Sequence, residues 1–288
     1  MTRVRDNKTE YVTGMRAAVA GLDEAKLRAR EQWTANPCGA HVARELEFGS
    51  REYFDTIDHY RYNIYSPWIK ELIDFNGFAG KRLLEIGCGT GTDLVQFARG
   101  GASVIGVDLT PRSIEIARRR FEVFGLSGDF AVGDAERLTF PDEAFDVVYS
   151  FGVLHHTPGT EAAVDEIYRV LRKGGRAIVM LYNRSSLWYW VRLVLMRGLL
   201  GGELLKSNTG EMLSKYVEYT ETGARPLVKT YSRREARRLF RRFGNPRIQV
   251  EQLNRSDLRW LGRVLPERFI RWTARTVGWN IIVTAVKR

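Results

Sequence analysis

From Lys81 onward the chain alternates short apolar runs with amphipathic stretches, and this alternation constrains the fold more than any other feature. "RLLEIG", "SVIGVD", "DFAVGD", "FDVVYSFG" and "RAIVMLYN" read as five strands. Between them, "TDLVQFARG" reads as a helix closed by Gly100, and "PRSIEIARRRFEVFG" as a helix with Pro111 at its start and Gly125 at its end. "TEAAVDEIYRVLRKGG" carries Ala163, Val164, Ile167, Val170 and Leu171 at helical spacing. Strands that are apolar throughout belong to a parallel sheet covered on both faces. "RIQVEQL" and "WNIIVTAVK" add two final strands, so the expected architecture is α/β, with a doubly wound, mostly parallel sheet of seven strands.

The flanks are less regular. Residues 16–32 are rich in Ala, Leu, Glu, Lys and Arg and predict a helix, which "TANPCGA" breaks. Residues 41–75 mix aromatics with charges and predict helix up to Ser66, with Pro67 in the first turn of the next. Ser232 and Glu235 form a capping box for "SRREARRLFRRFG". The expected organisation is a helical extension or lid over 1–75 and a main domain over 76–288. Insertions interrupt that domain at about 184–230 and 255–277.

Composition narrows the setting. The apolar fraction is 44% and the charged fraction 27%, as in an ordinary globular protein. Two cysteines, neither in a CxxC pair, fit a reducing compartment and suggest no zinc site. The amino terminus has no apolar signal region, and no run of apolar residues is long enough to span a bilayer. The expected location is the cytoplasm, with peripheral membrane contact. The net charge of +11 is uneven: residues 184–288 hold 22 Lys and Arg against 8 Asp and Glu, whereas residues 1–183 are slightly acidic. That asymmetry points to an anionic partner of the last third, or to a solvated basic face.

"LLEIGCGTGTD" places Gly87, Gly89 and Gly91 directly after a strand, with Glu85 two residues ahead. Glycines there let the chain turn tightly and let a ligand approach the backbone. The spacing is G-x-G-x-G, not the G-x-G-x-x-G that packs a helix beneath a pyrophosphate, so an NAD-dependent oxidoreductase is disfavoured. Glu85 suits a ligand with an ammonium group or ordered water nearby better than a pyrophosphate. Asp108 ends the second strand, where an acid accepts both hydroxyls of a ribose, and Asp134 follows the third, within reach of an adenine amino group.

With these residues in place, Lys81–Tyr182 resembles the class I S-adenosylmethionine-dependent methyltransferases, in the group that includes ubiquinone-biosynthesis enzymes. "LLEIGCGTGTD", "GVDLT", "GDAERLTFPDEAFDVVYSFGVLHH" and "EIYRVLRKGGRAIV" carry the likeness. It implies a Rossmann-like sheet and S-adenosyl-L-methionine as cofactor. It further implies that Gly87, Cys88, Gly89 and Gly91 form the turn against the methionine part, and that Glu85 orders it. Asp108 would hold the ribose, Asp134 and the Ala135 backbone the adenine, and Leu109 and Ser150 are further cofactor-binding positions. Tyr60 and Arg61 are further cofactor candidates.

Methyl transfer needs a base only when the acceptor must lose a proton, and it gains from alignment and exclusion of water. His155 and His156, two of four histidines, are the candidate bases, with Tyr182 beside them at the end of the fifth strand. The loop "SFGVLHHTPG" lacks the N/D/S-P-P-Y/F signature of enzymes that methylate base amines, so a nucleic-acid acceptor is disfavoured, as is a protein one. Residues 187–200 and 258–277 mix Trp, Phe and Leu with arginines. In the second, Phe269, Ile270, Thr273 and Val277 share one helical face. Such segments suit an anionic membrane surface, a lid or a homo-oligomer contact. The expected acceptor is a small molecule, hydrophobic or lipid-linked.

Overall fold

A computed structural model of the 288-residue chain describes residues 23–218, 223–258 and 261–288. The expected helix over 16–32 lies partly outside them. Its described part is α1, Glu24–Ala35, capped by the Asp23 carboxylate, which accepts from the Lys26 backbone amide. Next comes α2, Arg51–His59, capped by Ser50, and it runs on as a wider π-helical segment, Tyr60–Tyr65.

The central alternation then follows: β1 (Arg82–Ile86), α3 (Thr92–Arg99), β2 (Ser103–Asp108), α4 (Pro111–Phe124), β3 (Asp129–Val132), β4 (Phe145–Phe151), α5 (Thr160–Val170) and β5 (Leu171–Tyr182). A π-helix, Trp188–Leu200, and α6, Thr209–Tyr216, lie in the first insertion. The chain closes with α7 (Arg233–Leu239), β6 (Arg247–Glu251), α8 (Glu267–Val277) and β7 (Asn280–Val286).

These strands form one seven-stranded sheet in the order β3-β2-β1-β4-β5-β7-β6, parallel except for β7, which runs against both β5 and β6. The sheet is Rossmann-like and doubly wound. Leu83, Val104, Val147, Tyr149 and Ile178 face the side covered by α3 and α4. Leu84, Ile86, Val148, Val179 and Ile281 face the side covered by α5 and α7. Burial on both faces explains why these strands are apolar without alternating.

Helix α5 ends earlier than its period predicts. Leu171 is already extended and pairs with Phe145, then the register shifts and Arg176 pairs with Val147. The carboxyl-terminal strand holds this corner: Lys287 Nζ donates to the Leu171 carbonyl and the Gly174 amide to the Lys287 carbonyl, each at 2.7 Å. A pairing with a residue over 100 positions away thus overrides the local helical pattern.

The amino-terminal elements dock onto α4. Tyr53, Phe54 and Ile57 pack on Ile116. Arg120, fully buried, pairs with Asp58 and lies over the Phe54 ring. In the second insertion α8 turns Ile270 and Ala274 inward against Leu253, leaving Phe269 and Trp272 exposed. Phe269 therefore stands on the outer side and does not share with buried Ile270 the face that the helical spacing suggested.

Candidate active site

The carboxyl ends of β1 to β5 open onto one cavity of about 770 Å³. Sheet order arranges the predicted residues along it: Asp134 after β3, Asp108 at β2, the glycine turn after β1, His156 after β4 and Tyr182 at β5. That edge is where open α/β sheets bind ligands.

The turn after β1 is built on positive φ. Gly87 (φ +72°) and Gly89 (φ +52°) line the cavity. A Cβ on Gly87 would lie 2.1 Å from Val153 Cγ2, so only glycine fits there, whereas Gly89 is open toward the cavity. Gly91 has a different job, letting α3 approach Ala117 of α4. Cys88 is buried on the cavity wall. The Gly89 amide donates to Asp108 Oδ2 at 2.9 Å, and Thr110 donates to Oδ1 through its amide and hydroxyl. Burial nevertheless pushes the Asp108 carboxyl up.

Glu85 is buried on the same wall, and its Oε2 has no hydrogen-bond partner. Burial, then the nearby negative Asp93, push its carboxyl well above the usual range. Asp93 itself behaves oppositely. Burial opposes its ionisation, but Arg61, at 2.7 and 3.3 Å, and the Tyr62 and Tyr149 hydroxyls, at 2.7 and 2.8 Å, hold it below the ordinary value. Arg61 lines the cavity while committed to Asp93 and stacked on Phe151, and Tyr60 lines it beside Tyr65.

At the other end, Asp134, Ala135 and Leu109 all line the cavity. Both Asp134 oxygens are engaged: Oδ2 with Lys26 Nζ of α1 at 2.7 Å, Oδ1 with the Glu136 amide at 3.0 Å. Lys26 also bridges to Glu136 at 2.7 Å. Ser150 is buried below the wall and donates to the Ile86 carbonyl, so it braces β4 on β1 without reaching the cavity.

The two histidines separate. His155 is fully buried behind Tyr182, ring on ring at 3.7 Å, with neither nitrogen hydrogen-bonded, and burial drives it well below its ordinary value, so it stays neutral. It is not part of the cavity wall. His156 is: Nδ1 lies 2.8 Å from the Leu227 carbonyl and Nε2 3.5 Å from Glu218 Oε1. Tyr182 also faces the cavity and donates to the same Glu218 oxygen at 2.8 Å.

Glu218, Asp93 and Lys26 were not among the residues expected from the sequence. Asp93 closes the quoted "GTGTD" and was open to recognition there. Glu218 sits in an insertion with no period, and Lys26 in a surface-like helix, so no local signal marks either.

Residues 84–179 match the family described as "Methyltransferase domain". The chain contains a class I S-adenosylmethionine-dependent methyltransferase domain. It is 40% identical over 108 residues to a ubiquinone biosynthesis O-methyltransferase of Cereibacter sphaeroides, covering 38% of this chain and 44% of that protein. To a demethylmenaquinone methyltransferase of Thermus thermophilus it is 43% identical over 106 residues, 35% of this chain and 47% of the other. The match thus spans less than half the length of these relatives. Among solved structures, geranyl diphosphate C-methyltransferase from Streptomyces coelicolor A3(2) superposes with a TM-score of 0.57 over 93% of this chain and all of the other, at 16% identity, a likeness of fold.

The methyltransferase cavity fits the cofactor of its class on its own geometry. An unpartnered, buried carboxyl oxygen on Glu85 suits an ammonium group, the open side of Gly89 admits close approach, and Asp108 ends β2 with a carboxylate on the wall that suits a pair of hydroxyls.

Proposed function

We propose that this protein transfers a methyl group from S-adenosylmethionine to a hydrophobic or lipid-linked small molecule, working as a peripheral enzyme at the cytosolic face of a membrane. The observation that carries the reading is a single cavity joining two kinds of wall. One end bears Glu85, the glycine turn and Asp108; the other bears Tyr65, Phe151, Met180 and Tyr182. The first kind suits a charged nucleoside amino acid, the second an apolar acceptor.

When bound, the cofactor supplies an electrophilic methyl group on a sulfonium. Glu85 takes its amino end, the backbone at Gly87 and Gly89 the methionine portion, Asp108 the ribose hydroxyls, and Asp134 with Ala135 the adenine side. The extension, held by Lys26 to Asp134 and Glu136, keeps water out.

Relatives that carry the words ubiquinone biosynthesis and demethylmenaquinone in their names support a quinone-like or similarly apolar acceptor. Exposed Trp190, Leu199 and Leu200 on the π-helix and Phe269 and Trp272 on α8, set among arginines, support access from a membrane surface. No helix among the described residues is long and apolar enough to cross a bilayer.

Incubating the protein and labelled S-adenosylmethionine with cell extract fractionated into lipid, small-molecule and nucleic-acid pools tests the proposal. Label is expected in the lipid or small-molecule pool. Label confined to nucleic acid, or to protein, would overturn it.

A further inference from the structure

Glu218 is a carboxylate that the fold has placed in the acceptor half of the cavity. It follows α6 in the first insertion, outside the matched 84–179 segment, and its side chain is only 15% exposed. Four titratable groups face it from separate elements. Tyr182 of β5 donates to Oε1 at 2.8 Å, and His156 of the β4–α5 loop stands 3.5 Å from that atom. Tyr65 of the π-helical segment and Cys38 beyond α1 lie close enough to feel its charge, which helps to raise both. Among the described residues nothing bonds to Oε2. A carboxylate oxygen on the cavity wall that no neighbouring side chain bonds is open to a donor on a bound molecule.

Position along the sheet says what that donor is. The nucleoside side of the cavity lies over β3 and β2 and the ammonium-binding side over β1, so the remaining stretch over β4 and β5 is where the acceptor must sit. Its walls there are Tyr65, Phe151, Met180 and Val217, with Glu218 the single carboxylate at that end among the described residues. Glu218 already accepts one phenolic hydroxyl, from Tyr182, and its free oxygen offers a second hydroxyl the same geometry.

We propose that Glu218 is the general base of this site and that the acceptor is a hydroxyl, foremost a phenol, on an apolar molecule. The inference rests on the methyltransferase reading above and names the acceptor atom within it. The acceptor hydroxyl gives its proton to Glu218 as its oxygen forms the bond to the methyl carbon. The electron pair of the broken carbon–sulfur bond stays on sulfur, which leaves as a neutral thioether, and Glu218 ends protonated. Tyr182 holds the carboxylate in place, and the proton passes to water after the product leaves. Burial opposes ionisation of Glu218, but His156 and Tyr182 hold its carboxyl below the usual value, so it is ionised throughout the neutral range.

The test uses the full chain as wild type, Glu218→Gln and Glu218→Asp. Calorimetry with S-adenosylhomocysteine comes first: equal affinity in all three shows that the variants fold and keep the cofactor site. Methyl transfer is then followed from carbon-13-labelled S-adenosylmethionine into the lipid and small-molecule pools, with the methyl resonance of the product reporting its bonding partner. The expected product carries the label on oxygen. Glu218→Gln should be slower on the order of 10²-fold or more. Its residual rate should climb about tenfold per pH unit toward the acceptor's own ionisation, while the wild-type rate stays level. Glu218→Asp should recover part of the loss. Label on carbon or nitrogen, a Glu218→Gln rate equal to wild type, a loss that is the same at every pH, or cofactor binding without any product would each overturn the proposal. Failure of wild type to bind S-adenosylhomocysteine would instead remove the methyltransferase reading beneath it.

Discussion

At the scale of single residues, the cavity concentrates carboxyl groups that pull in different directions. Burial, then Asp93, push the Glu85 carboxyl well above the value near 4.5 at which it ionises in the unfolded chain. Its raised value in the fold means that stability falls as pH rises from about 4.5 toward the folded value, and is fully present below that window. Glu85→Gln should therefore melt a few degrees higher than wild type at pH 7.5, with the gap closing near pH 4.5. The same change should weaken S-adenosylhomocysteine binding about 10-fold or more, because a charged hydrogen bond is lost. Binding of that ammonium ligand to wild type should release a proton, detectable as a dependence of the calorimetric heat on buffer ionisation enthalpy. No release, or release unchanged in the variant, would count against an ammonium at Glu85. Gly87 offers a second residue-level test. Gly87→Ala meets both a left-handed backbone and Val153 and should lose about 2–4 kcal/mol in urea unfolding. Gly125→Ala, at φ +63° with nothing within 4 Å of the new Cβ, should lose only about 1 kcal/mol.

At the scale of elements, α1 is attached to the methyltransferase sheet through a charge cluster. Lys26 is 8% exposed and bridges Asp134 and Glu136, and Glu136 in turn accepts from Thr157 and the Gly159 amide. Removing the ammonium leaves two half-buried carboxylates close together without their shared cation, which is unfavourable. Lys26→Ala should undock α1 rather than unfold the sheet. Hydrogen exchange should rise across residues 24–35 with the amides of β1 and β4 unchanged, and S-adenosylhomocysteine should dissociate on the order of 10-fold faster. Equal exchange in both proteins would show that α1 is held by packing alone. The α5 boundary makes the complementary point, since its helical pattern continues past Val170 but strand pairing and Lys287 end it there.

At the scale of the whole molecule, charge and apolar exposure fall in the same third of the chain. The elements on the β5-β7-β6 side carry the basic excess of residues 184–288, and with it Trp190, Leu199, Phe269 and Trp272 at the surface. Arg271 and Arg275 are partly offset by Glu71 and Glu251, whereas Arg268 has no such partner among the described residues. Vesicles containing phosphatidylglycerol should float the protein, and neutral phosphatidylcholine vesicles should float much less. Raising salt should weaken the association as exposed charges are screened. A Phe269→Ser, Trp272→Ser double variant should lose most of it while keeping S-adenosylhomocysteine affinity. Equal flotation on both vesicle types, or none, would leave a lid or subunit contact as the use of these faces.

The sequence by itself determined the seven strands, the near-continuous burial of the central ones and the residues at the β1–β3 end of the cavity. Those features follow from short-range rules: a strand's period, a glycine's freedom, an acid at a strand's end. Glu85, Asp108 and Asp134 were readable because a turn and two strand ends put them on one edge in any such sheet. Only the tertiary structure decided the β4–β5 end of the cavity. It set His155 behind Tyr182, turned His156 and Tyr182 toward Glu218, and brought Lys26 onto Asp134, 108 residues away. Such contacts join insertions and extensions that have no period of their own, and their geometry depends on long-range packing that local patterns do not encode.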